Sequence, residues 1–271
     1  IDVDFDFYDL NPEVDYHALK RLLGQLFQRD AELFHLHDLT ELILCQKGIG
    51  TTIKTDGTES DPYAVLTVLD MHQHHEHPSI KAIANYCLEK SAQDSAFHTT
   101  LNTLFSQNQH HVGLVVCERL INMPVQVIPP MYKMLNEEIQ RSISENGLHN
   151  FSHLLVISRT YHLTSDEESA MANSAPVRGS KKKNKKVKPP TAMAVTAPAD
   201  GIYSFHPEDE VIKQSAVHSL DYKFTTSPPE PREKDSFGLD NRARMMLVPT
   251  ANFRDLIGRM LQVYAPPGLT G

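Results

Sequence analysis

The chain opens with a strict alternation of apolar and acidic side chains. The alternation places three apolar side chains on one side of an extended strand and three carboxylates on the other: Val3, Phe5 and Phe7, then Asp2, Asp4 and Asp6. Carboxylates are costly to bury without partners, so we expect the apolar side to face a core and the acidic side to face solvent. The pattern therefore predicts a half-buried first strand that carries a ladder of carboxylates.

The spacing then changes to that of an amphipathic helix. From Leu19 to Phe27, apolar residues recur at i, i+3, i+4, i+7 and i+8, which is one face of a helix. Asp15 lies just ahead of this run, where an N-cap residue is expected. A second helix is predicted to open at Asp38, because Glu41 follows three residues later as in a capping box.

Strands and helices alternate along the rest of the chain. Strands are predicted at 51–55, 63–70, 112–117, 151–157, 217–224 and 245–248, and helices at about 80–88, 97–105, 131–143 and from 252. The continuous apolar run at 65–69 indicates a strand that is buried on both faces. This alternation predicts an α/β layer fold, and its opening order of strand, helix, helix and two hairpin strands resembles the GNAT acetyltransferase fold.

One stretch interrupts the pattern. Residues 164–200 are rich in Ser, Ala, Pro and Lys and contain few aromatic residues, so they are predicted to be a disordered insertion. The roughly 70 residues that follow are too few for a sturdy core of their own. We therefore expect one domain over residues 1–271, in which the C-terminal part completes the same sheet.

Composition narrows the class of protein. The hydrophobic content of 40% is enough for a core, and no apolar run approaches the ~20 residues of a membrane span. There is no apolar signal sequence near the start, so we expect a soluble intracellular protein. Cys45, Cys87 and Cys117 are widely spaced and lie in apolar segments, which indicates buried reduced thiols and a cytosolic or nuclear compartment.

The charge is unevenly distributed along the chain. The net charge is −8, but six lysines lie in one short run, and the remainder has 20 basic against 34 acidic residues. An acidic folded part argues against nucleic acid as a direct ligand, because phosphate binding needs a basic surface. It favours a basic protein partner, which would be attracted over long range.

Two groups of carboxylates are candidates for contact with such a partner: Asp2, Asp4 and Asp6, and Glu208, Asp209 and Glu210. A plain solvated surface is the alternative for both groups. A metal site is a weaker alternative for the first group, because alternate strand residues lie ~7 Å apart. His72, His74, His75 and His77 also resemble a metal cluster, but they are crowded into one loop with no cysteine nearby, which is more typical of solvated histidines.

The lysine run is the sharpest local motif: Lys181, Lys182, Lys183, Lys185, Lys186 and Lys188. A basic cluster in a flexible loop is typical of a segment bound by a nuclear import receptor. The alternative is a solvated lysine tract that contacts RNA nonspecifically. Leu36, Leu39, Leu42 and Leu44 have the spacing of a nuclear export signal, but the same spacing fits a helix packed on a core.

Catalytic motifs are missing from the sequence. In the acetyltransferases, a Gln/Arg-x-x-Gly-x-Gly run holds pyrophosphate at the start of a helix. The nearest match, Gln46–Gly50, is one residue short and leads into a predicted strand. No Walker loop, GxSxG or HExxH is present, and pairing of Glu118 with Arg119 or a neighbour is the simplest interpretation of those charges. We expect no catalytic residue, no cofactor and no metal.

Five segments resemble the BCCIP family in the order that the family has them: DFDFYDLNPEVDYHALKRLL (4–23), IGTTIKTD (49–56), VGLVVCERLINMPVQVIPPMYKML (112–135), LLVISRTYHL (154–163) and ARMMLVPTANF (243–253). The resemblance implies a mixed, mostly antiparallel sheet flanked by helices. Family members usually carry an acidic low-complexity tail before the first strand, and the present sequence begins at Ile1, so any role of that tail falls outside it.

The resemblance also implies a function. Fungal members of the family are nuclear chaperones that escort a basic large-subunit ribosomal protein during ribosome biogenesis, and they are linked to nuclear export of a phosphatidylinositol-phosphate kinase. We therefore expect a nuclear binding protein that shuttles to the cytoplasm and contacts neither nucleic acid nor membrane directly. The alternatives are an acetyltransferase that modifies such partners and a scaffold for DNA-repair and cell-cycle proteins.

Overall fold

The computed structural model describes residues 4–174, 198–227 and 238–264, without the side chains of Asn146 and of 170–174. The strands are β1 (Asp6–Asp9), β2 (Thr51–Lys54), β3 (Ala64–Asp70), β4 (His111–Arg119), β5 (Phe151–His162), β6 (Ile202–Ser204), β7 (His218–Tyr222) and β8 (Asp240–Pro249). The α-helices are α1 (Tyr16–Phe27), α2 (Leu36–Leu44), α3 (Pro78–Ser91), α4 (Ser95–Phe105), α5 (Ile128–Asn146), α6 (Ser165–Ser174), α7 (Glu208–Ser215) and α8 (Phe253–Tyr264).

The strands form one mixed sheet in the order β1-β2-β3-β4-β5-β8-β7, and β6 pairs with the end of β5. Strands β4 and β5 are parallel, whereas the other described pairs are antiparallel. The long α5 makes the crossover that a parallel pair requires. The predicted α/β class and the mostly antiparallel mixed sheet are confirmed.

Helices cover the sheet on both sides. Helices α1, α2, α3 and α4 pack on one face of the sheet in one hydrophobic cluster. Helices α5, α7 and α8 pack on the other face in a second cluster. Every residue of β3 is buried, as the continuous apolar run predicted. The C-terminal strands β7 and β8 lie in the same sheet as β1, so the described residues form a single-domain fold. None of the described helices is long and apolar enough to cross a membrane.

A buried ion pair fixes the first helix to the sheet. Asp15 occupies the N-cap position of α1, but its carboxylate does not cap the helix. Instead it accepts a hydrogen bond from the Asn11 backbone N–H at 2.8 Å and lies 2.7 Å from Lys54 Nζ. Both charged side chains are essentially inaccessible to solvent. The position of the predicted cap was therefore right, and its role was wrong.

Several local predictions need correction. Helix α2 begins at Leu36 and not at Asp38, because His35 turns the chain with φ of 50°. Leu39 and Leu44 are buried in the core, which explains their spacing without an export signal. Cys45 is exposed, whereas Cys87 is buried and Cys117 is half-buried.

The segment predicted to be disordered begins with a helix. Thr164 and Glu167 form a reciprocal capping box, in which the Glu167 carboxylate accepts from the Thr164 N–H and the Thr164 hydroxyl accepts from the Glu167 N–H. Helix α6 follows, and Tyr203 on β6 donates a hydrogen bond to Glu168 at 2.8 Å. The rest of the predicted insertion, 175–197, lies outside the described residues.

The Asp15–Lys54 pair gives a stability test. Replacing Lys54→Met keeps the apolar stem but leaves the buried Asp15 carboxylate without its cation, so we expect the free energy of unfolding to fall by about 3–5 kcal/mol. The measurement is urea denaturation at pH 7. The control is Lys133→Met, because the Lys133–Glu137 pair is 3.9 Å long and more than half exposed, and exposed pairs contribute only about 0–1 kcal/mol. Equal effects of the two substitutions would contradict the assignment.

Candidate functional site

Strands β4 and β5 diverge halfway along their length. Their paired residues end at Val115 and Val156, although β4 continues to Arg119 and β5 to His162. Beyond the gap, β6 pairs with the last residues of β5. Since β8 already occupies the other edge of β5, β6 takes the side that β4 has left. We call the space between the ends of these strands the β4–β5 gap, and an unfilled gap would leave backbone groups unpaired.

Side chains from three segments converge on Glu118 in this gap. Arg159 on β5 donates to both Glu118 oxygens, at 2.7 and 3.1 Å. His206 Nε2 lies 2.7 Å from Glu118 Oε1. The Gln25 amide of α1 donates to Glu118 at 3.0 Å and to the Arg119 backbone oxygen at 2.8 Å. One carboxylate thus joins α1, β5 and the segment that returns after the insertion.

The neighbouring residue on β4 makes a second ion pair on the opposite face of the sheet. Arg119 donates to both oxygens of Glu208 at the start of α7, at 3.1 and 2.9 Å, and to the Met123 backbone oxygen at 2.9 Å. Successive strand residues point to opposite faces, so Glu118 faces α1 and Arg119 faces α7. The ionic network therefore passes through the sheet where the two strands diverge.

Burial and charge shift the pKa values of the network in opposing ways. Burial alone would raise the pKa of Glu118, but hydrogen bonds and charge from His206 and Arg159 lower it to about 2. Burial alone would lower the pKa of His206, but the hydrogen bond and charge of Glu118 raise it. The pKa of Asp209 is raised, chiefly because burial disfavours its charged form.

This arrangement is a buried ionic network that holds the fold together. The side chains of Glu118, Arg119, Arg159, Glu208 and His206 are each at most 5% exposed. Their charges pair with one another in the interior, shielded from solvent. Structural pairing of Glu118 and Arg119 was predicted, and the structure assigns them different partners, Arg159 and Glu208.

The predicted acidic residues fall into two classes. Asp4 and Asp6 are exposed at β1, as the alternation predicted, and Asp2 lies outside the described residues. Glu208 and Asp209 are buried, so their placement on a partner-binding surface was wrong. The reason is that Glu208, Asp209 and Glu210 form the first turn of α7, which packs on the sheet and buries the first two of these carboxylates.

Glu210, the third carboxylate of that turn, is half-exposed and pairs with a buried arginine. Arg244 Nη1 donates to Glu210 at 2.8 Å, and its Nε donates to Asp221 at 2.9 Å. The Arg244 side chain is only 1% exposed. Glu210 thus retains a solvent-facing side, but its charge is already matched from within.

The remaining candidates are the lysine run and the histidine group. The six lysines Lys181, Lys182, Lys183, Lys185, Lys186 and Lys188 lie outside the described residues. Across the part of the chain that is described, no three His, Cys, Asp or Glu side chains are grouped to hold a metal. His72 packs structurally, because its Nδ1 accepts from the Val112 N–H and its Nε2 lies 2.9 Å from the Leu104 oxygen.

The sequence does contain a signal for the buried ionic network. Arg159 interrupts the apolar strand LLVISRTYHL, and an arginine inside a buried strand requires a buried carboxylate. Glu118 ends the apolar run VGLVVC in the same way. Gln25 and His206 gave no comparable signal, since both residue types are common on surfaces.

The network can be tested at its centre. Replacing Glu118→Gln preserves shape but leaves Arg159 and His206 without their carboxylate, so we expect a loss of about 3–5 kcal/mol in unfolding free energy at pH 7. The matched control is Glu137→Gln, because the Glu137 side chain of α5 is more than half exposed, and this substitution should change the unfolding free energy little.

The same variant should show a defined pH dependence. The pKa of Glu118 is lowered from 4.5 to about 2, so its stabilisation is complete above pH 4.5 and is lost as the pH falls toward 2. Urea denaturation from pH 7 to pH 3 should therefore show the difference between wild type and Glu118→Gln shrinking in acid. A difference that stays constant over this range would contradict the lowered pKa.

Comparison with known proteins identifies the family. The sequence model of the BCCIP family matches residues 1–212. Protein bcp1 of Schizosaccharomyces pombe is 38% identical over 270 residues, covering 98% of this chain and 91% of the relative. Protein bcp1 of Aspergillus fumigatus is 42% identical over 226 residues, covering 83% and 72%.

A solved structure agrees with this assignment. The crystal structure of BCP1 from Saccharomyces cerevisiae matches with a TM-score of 0.64 at 26% identity, covering 96% of this chain and 88% of that one. The predicted family is confirmed by a match over most of the sequence and by a shared fold. The chain belongs to the BCCIP family.

Proposed function

We propose that this protein is a non-enzymatic nuclear binding protein that escorts a basic large-subunit ribosomal protein during ribosome biogenesis. It also acts in nuclear protein export, with a phosphatidylinositol-phosphate kinase as one cargo, and it shuttles between nucleus and cytoplasm. Membership of the BCCIP family supports the proposal. The observation that carries it is the position of the excess negative charge.

The buried basic side chains of this protein are all paired with carboxylates, so most of the excess negative charge lies outside the core. Four basic side chains are almost fully buried, and each pairs with a carboxylate: Lys54 with Asp15, Arg119 with Glu208, Arg159 with Glu118, and Arg244 with Asp221. These pairs cancel within the interior. Four further carboxylates, Asp30, Asp70, Glu138 and Asp209, are buried without a Lys or Arg ion pair among the described residues, so a small part of the acidic surplus lies in the interior. Most of the surplus of 34 acidic over 20 basic residues outside the lysine run lies outside this described core.

An acidic surface suits the escort of a ribosomal protein. A newly made ribosomal protein has a cationic RNA-binding face, which binds nucleic acids nonspecifically. An acidic partner would neutralise that face and accelerate encounter by long-range attraction. Ribosomal RNA, with its higher charge density, would then compete for the cargo and release it.

The alternative is a GNAT-like acetyltransferase, and the β4–β5 gap is where such an enzyme would need room for a ligand between the strands. Here Gln25, Arg159 and His206 fill the gap. The nearest glycine run is also engaged, because the Gly50 N–H donates to the Glu138 carboxylate of α5 at 2.8 Å. A carboxylate that already accepts from this N–H would repel a phosphate and occupy its donor. These contacts therefore favour a non-enzymatic function.

Calorimetry tests the escort. We expect this chain to bind a basic large-subunit ribosomal protein, with affinity that falls as salt rises because exposed charges are screened. Acetyl-CoA, titrated in parallel, should give no binding heat. Saturable acetyl-CoA binding without ribosomal-protein binding would favour the acetyltransferase. Binding of DNA-repair or cell-cycle proteins that the ribosomal protein does not compete for would favour the scaffold.

Substitutions in the lysine run test whether this segment directs the protein to the nucleus. Replacing its six lysines by alanine should remove the contact with a nuclear import receptor, so a fluorescent fusion should move to the cytoplasm. Lys→Arg at the same six positions is the matched control and should stay nuclear. If the alanine variant accumulates in the nucleus as the wild type does, import does not depend on this segment.

A further inference from the structure

We propose that the outer edge of β1 is the docking site for an extended, lysine- or arginine-rich segment of a protein partner, which adds to the sheet as a further strand. The basic chemistry of the partner rests on the proposed function. The location rests on two independent observations, the direction of the β1 backbone groups and the charge of the side chains around them.

The edge itself is unpaired. Strand β1 is the first in the sheet order and pairs only with β2 among the described strands. An open edge presents a row of backbone donors and acceptors, and it is a template on which another chain can add.

The outward backbone groups can be identified from the neighbouring strands. The Tyr63 N–H donates to the Ile53 oxygen, so the backbone of Ile53 points toward β3. Backbone direction alternates along a strand, so Thr52 and Lys54 point toward β1 and bond to their partners Tyr8 and Asp6. The backbone groups of Phe7 and Asp9 therefore point away from the sheet.

Carboxylates surround this edge. Five exposed acidic residues lie on β1, immediately before it, and in the connection after β2: Asp4, Asp6, Asp9, Asp56 and Glu59. Two nearby basic side chains, Lys54 and Arg21, already lie beside other carboxylates. Lys54 is buried against Asp15 at 2.7 Å, and Arg21 lies 3.5 Å from Asp61. The register of Asp6 with Lys54 places Asp4 beside the connection that contains Asp56.

The spacing fits an alternating cationic strand. Asp6 lies on β1 and Asp4 lies two residues before it, and alternate residues of an extended chain are ~7 Å apart, which is also the separation of alternate side chains on an added strand. Basic residues of that strand would lie about 5 Å from their acidic neighbours across the pair. Backbone hydrogen bonds would supply affinity and the carboxylates would select for basic side chains. A short, charged edge strand also disfavours the addition of neutral strands. We therefore expect the carboxylates at this edge to favour a cationic strand over a neutral one.

A proline substitution separates strand addition from simple charge attraction. Asp9→Pro removes an outward N–H while leaving the β1–β2 hydrogen bonds in place. Asp9→Asn removes the same charge but keeps the N–H, so it is the matched control. Urea denaturation of both variants would check that each retains its fold.

The probe is a fluorescein-labelled ten-residue peptide of alternating Lys and Val, measured by fluorescence anisotropy at low salt. A peptide of alternating Lys and Pro carries the same charge but cannot complete a ladder. We expect the Lys–Val peptide to bind the wild type at least ~10-fold more tightly than the Lys–Pro peptide, since several backbone hydrogen bonds are lost. Asp9→Pro should weaken Lys–Val binding at least ~10-fold, and Asp9→Asn only about 2- to 3-fold.

Hydrogen exchange supplies a second readout on the full chain. The Phe7 and Asp9 amides should exchange more slowly when the Lys–Val peptide is bound, whereas the amides of β7 at the opposite edge should not change. Equal binding of the two peptides, equal effects of the two Asp9 variants, or no protection at Phe7 and Asp9 would overturn the proposal.

The failure of this inference can be told from failure of the proposed function. If the ribosomal protein binds wild type and Asp9→Pro equally, the escort stands and the docking site lies elsewhere. If the Lys–Val peptide binds at the edge but the ribosomal protein does not bind, the edge is a docking site for a different basic partner.

Discussion

The buried carboxylate of Glu118 is the constraint on which the rest of the structure depends. It sits where the only parallel pair among the described strands comes apart, and it joins β4 to β5 through Arg159. It also holds α1 through Gln25 and the returning segment through His206. A buried carboxylate is stable only when its partners supply both charge and hydrogen bonds, so four parts of the chain must be in place together.

This requirement explains how one domain survives a long interruption of its sequence. The chain leaves the sheet after β5 and returns at Pro198, and β6 then takes the edge of β5 that β4 has vacated. His206 and Glu208 follow within a few residues and pair with the two adjacent residues of β4. Buried contacts therefore fix the chain on both sides of the interruption.

The same network separates the charges that stabilise this protein from those available to a partner. Inside, each buried lysine or arginine is paired with a carboxylate, and the ionic side chains in the β4–β5 gap are shielded from solvent. Outside, most of the surplus of carboxylates remains, and some of it lies beside the edge of β1 that has no partner among the described strands. A fold whose interior cleft is filled by its own ion pairs is suited to recognition at its surface, and that is consistent with a binding protein of the BCCIP family.

The sequence by itself determined the order and type of most elements, the α/β class, the family and the acidic balance. Periodicity was sufficient because the strands at the centre of the sheet are continuous apolar runs and the helices are amphipathic. Local patterns failed where a polar residue has a distant partner. The sequence pattern predicts a helix cap at Asp15, whereas the side chain forms an ion pair with Lys54. It predicts a surface position for Glu208, whereas the side chain is buried against Arg119. Only the tertiary structure decided these roles, because the free energy of a buried charge depends on which residues far along the chain are brought beside it.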